Sequence, residues 1–159
     1  MENAKSLTNE SFNFLRNSST FLNIILNSMT TCVLLLDNGM KLQAFNNVLK
    51  TIFSNKRDED LLYMRCGEAI GCAFQIEEGK ECGKTSKCCN CDLRESAITS
   101  YLDDVVIYKE SIIRPFFDIN HKKVEKNLQF STRLFHYSGE KYIILLIDDI
   151  SKYVNPEKT

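Results

Sequence analysis

Tryptophan is absent, proline occurs only at Pro115 and Pro156, and glycine is limited to six positions in 159 residues. These shortages exclude collagen-like repeats, Pro-rich linkers and Gly-rich low-complexity tracts. No charge of one sign dominates: 20 Lys and Arg against 21 Asp and Glu leave a formal charge of -1. Bulk electrostatics therefore gives no reason to expect a nucleic acid or an anionic membrane as partner. Long apolar runs are also missing. Cys32 to Leu36 and Tyr142 to Ile147 are the longest, far too short to cross a bilayer. The start, MENAKSLTNES, lacks a basic end followed by an apolar stretch, so the expected location is the cytoplasm. Phosphate-cradling glycine loops, zinc-protease helix motifs and serine nucleophile elbows are absent as well, and no residue is expected to be catalytic.

What is present is ordinary in bulk: 43% apolar, 26% charged and 10% aromatic residues, the composition of one folded domain. Cysteine is the exception. Six of seven cysteines, Cys66, Cys72, Cys82, Cys88, Cys89 and Cys91, lie within 26 residues, while Cys32 stands alone in an apolar run and reads as a buried hydrophobe. The odd total argues against a closed disulfide framework. In a reducing compartment a dense thiol cluster points to a metal or redox centre.

Along the chain, Phe12, Leu15, Leu22, Ile25, Leu26 and Met29 recur at helical spacing. They predict a helix that packs on its own domain or pairs two copies of the chain. Residues 31–46 read as a hairpin, with Asn38-Gly39 expected in a type I′ turn, where both central residues need positive φ. Val48, Leu49, Ile52 and Phe53 mark a helix, and the charge run from Lys56 to Asp60 reads as a solvated loop. The stretch from Arg65 to Asp92 holds four of the six glycines and no sustained apolar period, so it reads as an insertion held by something other than a core. Asp92 as N-cap and Glu95 three residues later open a helix through Leu102. Val105 to Phe117, Leu128 to Tyr137 and Lys141 to Ile150 read as strands. The fold class is α+β, one antiparallel sheet of about five strands with helices on one face. The division is a helical extension over 1–28, a domain over 29–151 with the Cys-rich insertion at 65–92, and a tail over 152–159.

Four thiolates can hold Zn²⁺ tetrahedrally or bind the irons of an iron-sulfur cluster. Cys72, Cys82, Cys88 and Cys91 are the candidate ligands: Cys88 and Cys91 form a Cys-x-x-Cys turn, and Gly83 frees the backbone to curl its amides toward a sulfur. Lys80, Lys84 and Lys87 lie nearby and are expected to favour the thiolates. The gaps of nine and five residues are not regular zinc-ribbon knuckles, which leans the reading to iron-sulfur, with zinc as a structural staple the alternative. Thiol-disulfide exchange by Cys88 and Cys91 is a further alternative. His121 and His136 read as ordinary, and Asp148-Asp149 as a strand end.

TTCVLLLDNGMKLQAFNNVLKTIF, with Asn46 at its strand end, and GEKYIILLIDDIS, with Asp149, Ile150 and Ser151, resemble the opening and close of a PAS domain, the sensory module of bacterial signalling proteins. Between them, Gly71-Cys72, Cys82-Gly83 and Cys88-x-x-Cys91 resemble a subset with a Cys-rich metal-binding insertion; Cys66 and Cys89 depart from it. The Asn-Cys-Arg-Phe-Leu-Gln signature of the flavin-binding branch is absent. The resemblance implies a sensor of redox, oxygen or metal status that signals to a partner such as a histidine kinase or other output domain. A haem or small ligand in the fold's pocket, and homodimerisation through the N-terminal helix, stay open.

Overall fold

The computed structural model describes residues 19–53 and 61–154. The first turns of the proposed N-terminal helix and the charge run from Lys56 to Asp60 lie outside those residues. Helix α1 covers Ser19–Ser28, followed by β1 (Cys32–Leu36), β2 (Leu42–Phe45) and α2 (Val48–Ile52). Three short turns of helix come next: α3 (Cys66–Ala69), α4 (Ala73–Glu78) and a 3-10 turn at Cys88–Asn90. Helix α5 (Asp92–Asp103) leads into β3 (Ile107–Phe117), β4 (Lys123–Tyr137), β5 (Glu140–Asp149) and the terminal turn α6 (Ser151–Val154). The strands form one antiparallel sheet in the order β2-β1-β5-β4-β3, as expected for the α+β class.

Alternation decides which face is buried. Cys32, Leu34 and Leu36 of β1, Ile143, Leu145 and Ile147 of β5, and Leu128, Phe130 and Thr132 of β4 point to one side and are almost wholly excluded from water. Leu49 of α2, Ala69 of α3, and Leu93 and Ala97 of α5 close over them. Cys32 is the buried hydrophobe its apolar run suggested; burial, aided by the charge of Asp148, pushes its thiol up to about 12.

Several local expectations are corrected. The hairpin forms, but its turn is not type I′. Asp37 Oδ1 accepts the amides of Gly39 and Lys41, both at 2.9 Å, and the positive φ falls on Met40, at 65°. An aspartate bonding the backbone ahead of it wraps the loop around itself and moves the strained position one residue on. Helix α5 is capped one residue early: Cys91 occupies the N-cap position and Asp92 is the first helical residue. Strand β4 starts at Lys123, five residues before the apolar pattern, because its polar positions have partners. Lys126 Nζ reaches Asp149 Oδ2 at 3.0 Å, and the amide of Asn127 donates to Ser151 Oγ at 2.9 Å. The first half of the Cys-rich stretch belongs to the core after all, with Cys66, Ala69 and Ile70 buried in it.

Asn46 ties three elements together. Its Oδ1 accepts the Val33 amide at 3.0 Å, and its Nδ2 donates to the carbonyls of Leu26 and Thr31 at 2.8 and 2.9 Å. Three of the four hydrogen bonds its side chain can make are formed inside the protein, where it is 2% exposed. Removing the side chain strands those groups. Asn46→Ala is expected to lower stability by about 2 kcal/mol, with the melting temperature down by about 4–8 °C; a loss no larger than that of a surface substitution in urea titration contradicts the role.

Asp149 closes the sheet. Partial burial raises its carboxyl, but hydrogen bonds from the Ser151 hydroxyl and amide and the Lys126 ammonium outweigh that and hold it below the usual aspartate range. The ionised form is thus favoured by folding, so its contribution is complete above the unfolded value, near 4, and is lost as pH falls through the lower folded value. In acid titrations followed by circular dichroism, Asp149→Asn is expected to be less stable than the wild type at neutral pH and to lose less on acidification; parallel curves contradict this.

Candidate functional site

The five thiols of Cys66, Cys72, Cys82, Cys88 and Cys91 line one pocket between α3, α4, the 3-10 turn and β3. All four proposed ligands are among them. Cys66, which the spacing argument left aside, is the fifth. Cys89 is not: it is exposed, with its sulfur turned toward the Ser86 carbonyl at 3.8 Å.

Each sulfur is placed by a different piece of backbone. Cys66 opens α3, its amide bonded to the Met40 carbonyl at 2.8 Å, so the hairpin turn sets the floor of the pocket. Cys72 follows Gly71 into a bridge with Phe116, and the Phe117 amide donates to the Gly71 carbonyl at 2.9 Å. Cys82 lies against Gly67, whose amide donates to its sulfur at 3.3 Å. A Cβ added at Gly67 would stand 2.9 Å from that sulfur, so only glycine permits this approach. The Cys88 sulfur receives the Gly83 amide at 3.2 Å and contacts the Thr85 hydroxyl at 2.9 Å. Gly83 has φ +98°, the curled backbone inferred from its place after Cys82. The loop that carries Cys88 is closed by Glu78, which accepts the Ser86 amide and hydroxyl at 2.9 and 2.7 Å.

Burial and donors divide the thiols. Burial pushes Cys66 well above an ordinary thiol, and the neighbouring sulfurs of Cys82, Cys91, Cys32 and Cys72 push the same way. Burial also raises Cys82, against the Gly67 amide, and Cys91, against the charge of Arg114 and the Arg94 amide. Cys88 goes the other way. Its slight burial raises it, but the Thr85 hydroxyl and amide, the Gly83 amide and the Arg94 charge together lower it. These mutual effects place the sulfurs within electrostatic reach of one another.

The lysines do not act as expected. Lys84 pairs with Glu81 at 3.0 Å, and Lys80 and Lys87 act on Glu78. Acidic neighbours engage them instead. The cations that face the sulfurs are arginines: Arg94, laid over Gly83, and Arg114 from β3, whose Nη2 is 3.8 Å from Cys72 Sγ. Sequence spacing missed Arg114 because it lies on a strand 42 residues from Cys72; the pairing of β3 with Gly71-Cys72 is what brings it near. His121 lies in the β3–β4 loop with φ 59°, and Asp148 accepts the Thr31 hydroxyl at 2.8 Å, so the two C-terminal aspartates serve the sheet as a strand end.

Among the described residues no group of three or more His, Cys, Asp and Glu side chains is arranged to hold a metal ion. A single tetrahedral Zn²⁺ at about 2.3 Å from each sulfur needs them about 3.8 Å apart. The five sulfurs line one pocket without meeting that arrangement. The cavity they enclose is about 30 Å³, measured as space open to the centre of a water molecule, and is lined mostly by apolar surface. That is room for one or two waters, so a haem, a drug-sized ligand or an iron-sulfur core would each require the pocket to open.

Of the thiols lining the pocket, Cys88 is the one most ready to react when nothing is bound. In metal-free, reduced protein, alkylation by iodoacetamide with peptide mass spectrometry is expected to label Cys88 well before Cys66, Cys82 and Cys91 between pH 6 and 8. The order follows from thiolate fraction and access; uniform labelling of the four contradicts the donor assignments above.

No family model matches the chain, and no curated protein does. Solved structures do. The PAS domain of nitrogen regulation protein NR(II) from Vibrio parahaemolyticus is similar with a TM-score of 0.59 at 13% identity, over 81% of this chain and 97% of that one. The PAS domain of BvgS from Bordetella pertussis gives 0.56 at 13%, over 87% and 90%. A PAS domain from a two-component sensor histidine kinase gives 0.53 at 8%, over 89% and 99%. Identities this low speak for architecture alone, and with the strand order and the covering helices they agree on one conclusion: the chain has the fold of a PAS domain.

Proposed function

We propose that this protein is a PAS-type sensory module whose Cys72, Cys82, Cys88 and Cys91 hold an iron-sulfur cluster and whose redox, oxygen or metal response passes to a partner protein. The observation that carries the reading is the convergence of these sulfurs on one pocket, with Cys72, Cys82 and Cys88 each contacted by an amide, hydroxyl or guanidinium group. Donors aimed at sulfur favour thiolate over thiol and are the surroundings in which cluster ligands are stabilised. The irregular gaps of nine and five residues between the ligands, unlike regular zinc knuckles, favour a cluster over zinc, and a sensory fold has a use for a redox-active centre. The group would supply one-electron redox chemistry; the chain's part is to hold the sulfurs, exclude bulk water with Met40, Ile70, Leu93 and Phe116, and register the change.

Two routes lead out of the pocket. Cys91 is the N-cap of α5, so its position sets the start of that helix, and Cys72 is paired to β3. Helix α5 is pinned to the sheet by a buried contact: the Ser100 and Thr132 hydroxyls meet at 2.7 Å, and Thr132 donates to the Ser96 carbonyl at 3.1 Å. Loss of the cross-links among residues 66–91 frees the start of α5 while its middle stays fixed, an order–disorder change of the kind that switches signalling domains. The receiver is a histidine kinase or another output domain, reached without catalysis by this chain. Among the described residues no helix is long and apolar enough to cross a membrane.

Anaerobic purification followed by iron, sulfide and zinc analysis and an absorption spectrum tests the reading. Iron and sulfide with visible charge-transfer bands are expected, lost on Cys→Ser at positions 72, 82, 88 or 91 and kept in Cys66→Ser and Cys89→Ser. Stoichiometric colourless zinc replaces the cluster by a structural staple, protein with neither metal overturns both, and loss of the bands in Cys66→Ser puts Cys66 among the ligands.

A further inference from the structure

Arg114 is buried, with only 8% of the residue exposed. Its side chain lies on the Phe74 ring, 5.3 Å from the centroid, and its Nη2 points at Cys72 Sγ at 3.8 Å in the wall of the cysteine pocket. No carboxylate pairs with it among the described residues, although the surface cations Arg65, Lys84, Lys123 and Lys126 all have one. A buried cation without an anion is strongly destabilising, and proteins retain one only where an anion is supplied. Neutral thiols do not supply it. Four thiolates around an iron-sulfur cluster, or around Zn²⁺, do, because either centre is left with net negative charge.

We propose that Arg114 is the built-in countercharge of the sulfur pocket: a guanidinium held by Phe74 and the β3 backbone that stabilises an anionic thiolate-ligated centre and favours its more negative, reduced state. The inference rests on the cofactor reading above and extends it to a residue outside the cysteine segment. One-electron reduction adds a unit of negative charge to the centre without breaking a bond, and a fixed cation a few ångströms away, shielded from water, stabilises that state more than the oxidised one. Arg114 therefore acts through Cys72 and its neighbours as a positioning and charge-compensating residue. Because it belongs to β3, the electrostatic change in the pocket is felt directly by a strand of the sheet.

The test compares wild type with Arg114→Gln, Arg114→Met, whose linear stem keeps contact with Phe74, and Arg114→Lys. Folding is checked by circular dichroism, iron and sulfide are counted, and the midpoint is measured by dithionite titration with mediators. Loss of the charge is expected to shift the oxidised-to-reduced ratio about tenfold toward oxidised, 59 mV lower for one electron, with Lys recovering most of the shift. Folded Gln and Met variants with wild-type iron, sulfide and midpoint overturn the inference while the cofactor reading stands. If the wild type carries zinc, release to a chromogenic chelator is the readout: about tenfold faster in Gln and Met but not Lys supports the countercharge, and equal rates overturn it. Wild type with no inorganic centre sinks both.

Discussion

The short pairing of Gly71-Cys72 with Phe116 and Phe117 is the constraint on which the rest of the site depends. It fixes one end of the cysteine segment to the rigid sheet, where Phe116 is part of the buried core. From that anchor α4 runs outward, the loop returns through Cys82 and Cys88, and Cys91 re-enters the domain at the start of α5. A loop of this length could not hold several sulfurs in one place by its own apolar contacts, since its second half is largely exposed. It does so because both ends are fastened to packed elements and the interior turns spend their amides on sulfur.

The division of labour among donors follows from burial. Cys66 and Cys72 are deep and close to the core, Cys82 is reached through a glycine with no room for a side chain, and Cys88 stands nearest solvent with the richest set of donors. A gradient of this kind leaves one sulfur open to solvent and the others enclosed behind it. The two arginines, one on the helix and one on the sheet, both bring positive charge to the wall of the pocket.

Much of this was legible in the sequence, and the reasons it was are physical. Alternation in β1 and β5 and the helical spacing in α2 and α5 report directly on burial, so the order of elements could be read without knowing their contacts. Asn38-Gly39 suggested a hairpin for a reason that proved incidental, since Asp37 determines that turn. The start of β4 was hidden because Lys126 and Asn127 look like surface residues until Asp149 and Ser151 arrive from a distant stretch of chain. The same holds at the site: the Cys-x-x-Cys turn and Gly83 are local signals, whereas Cys66, Gly67 and Arg114 acquire their roles only when the fold brings them to the pocket. Nearby lysines misled because proximity along the chain says nothing about which anion a flexible ammonium will choose.

The placement of Gly71-Cys72 on β3 has one more consequence. In the strand order β3 has β4 on one side only, so its other rim would offer unpaired backbone groups to any extended peptide. Phe117 already gives its amide to Gly71 there, and Pro115, two residues before it, has none to give. The cysteine segment thus also covers the Phe116–Phe117 end of the sheet's border, and loosening it leaves the Phe117 amide without its backbone partner.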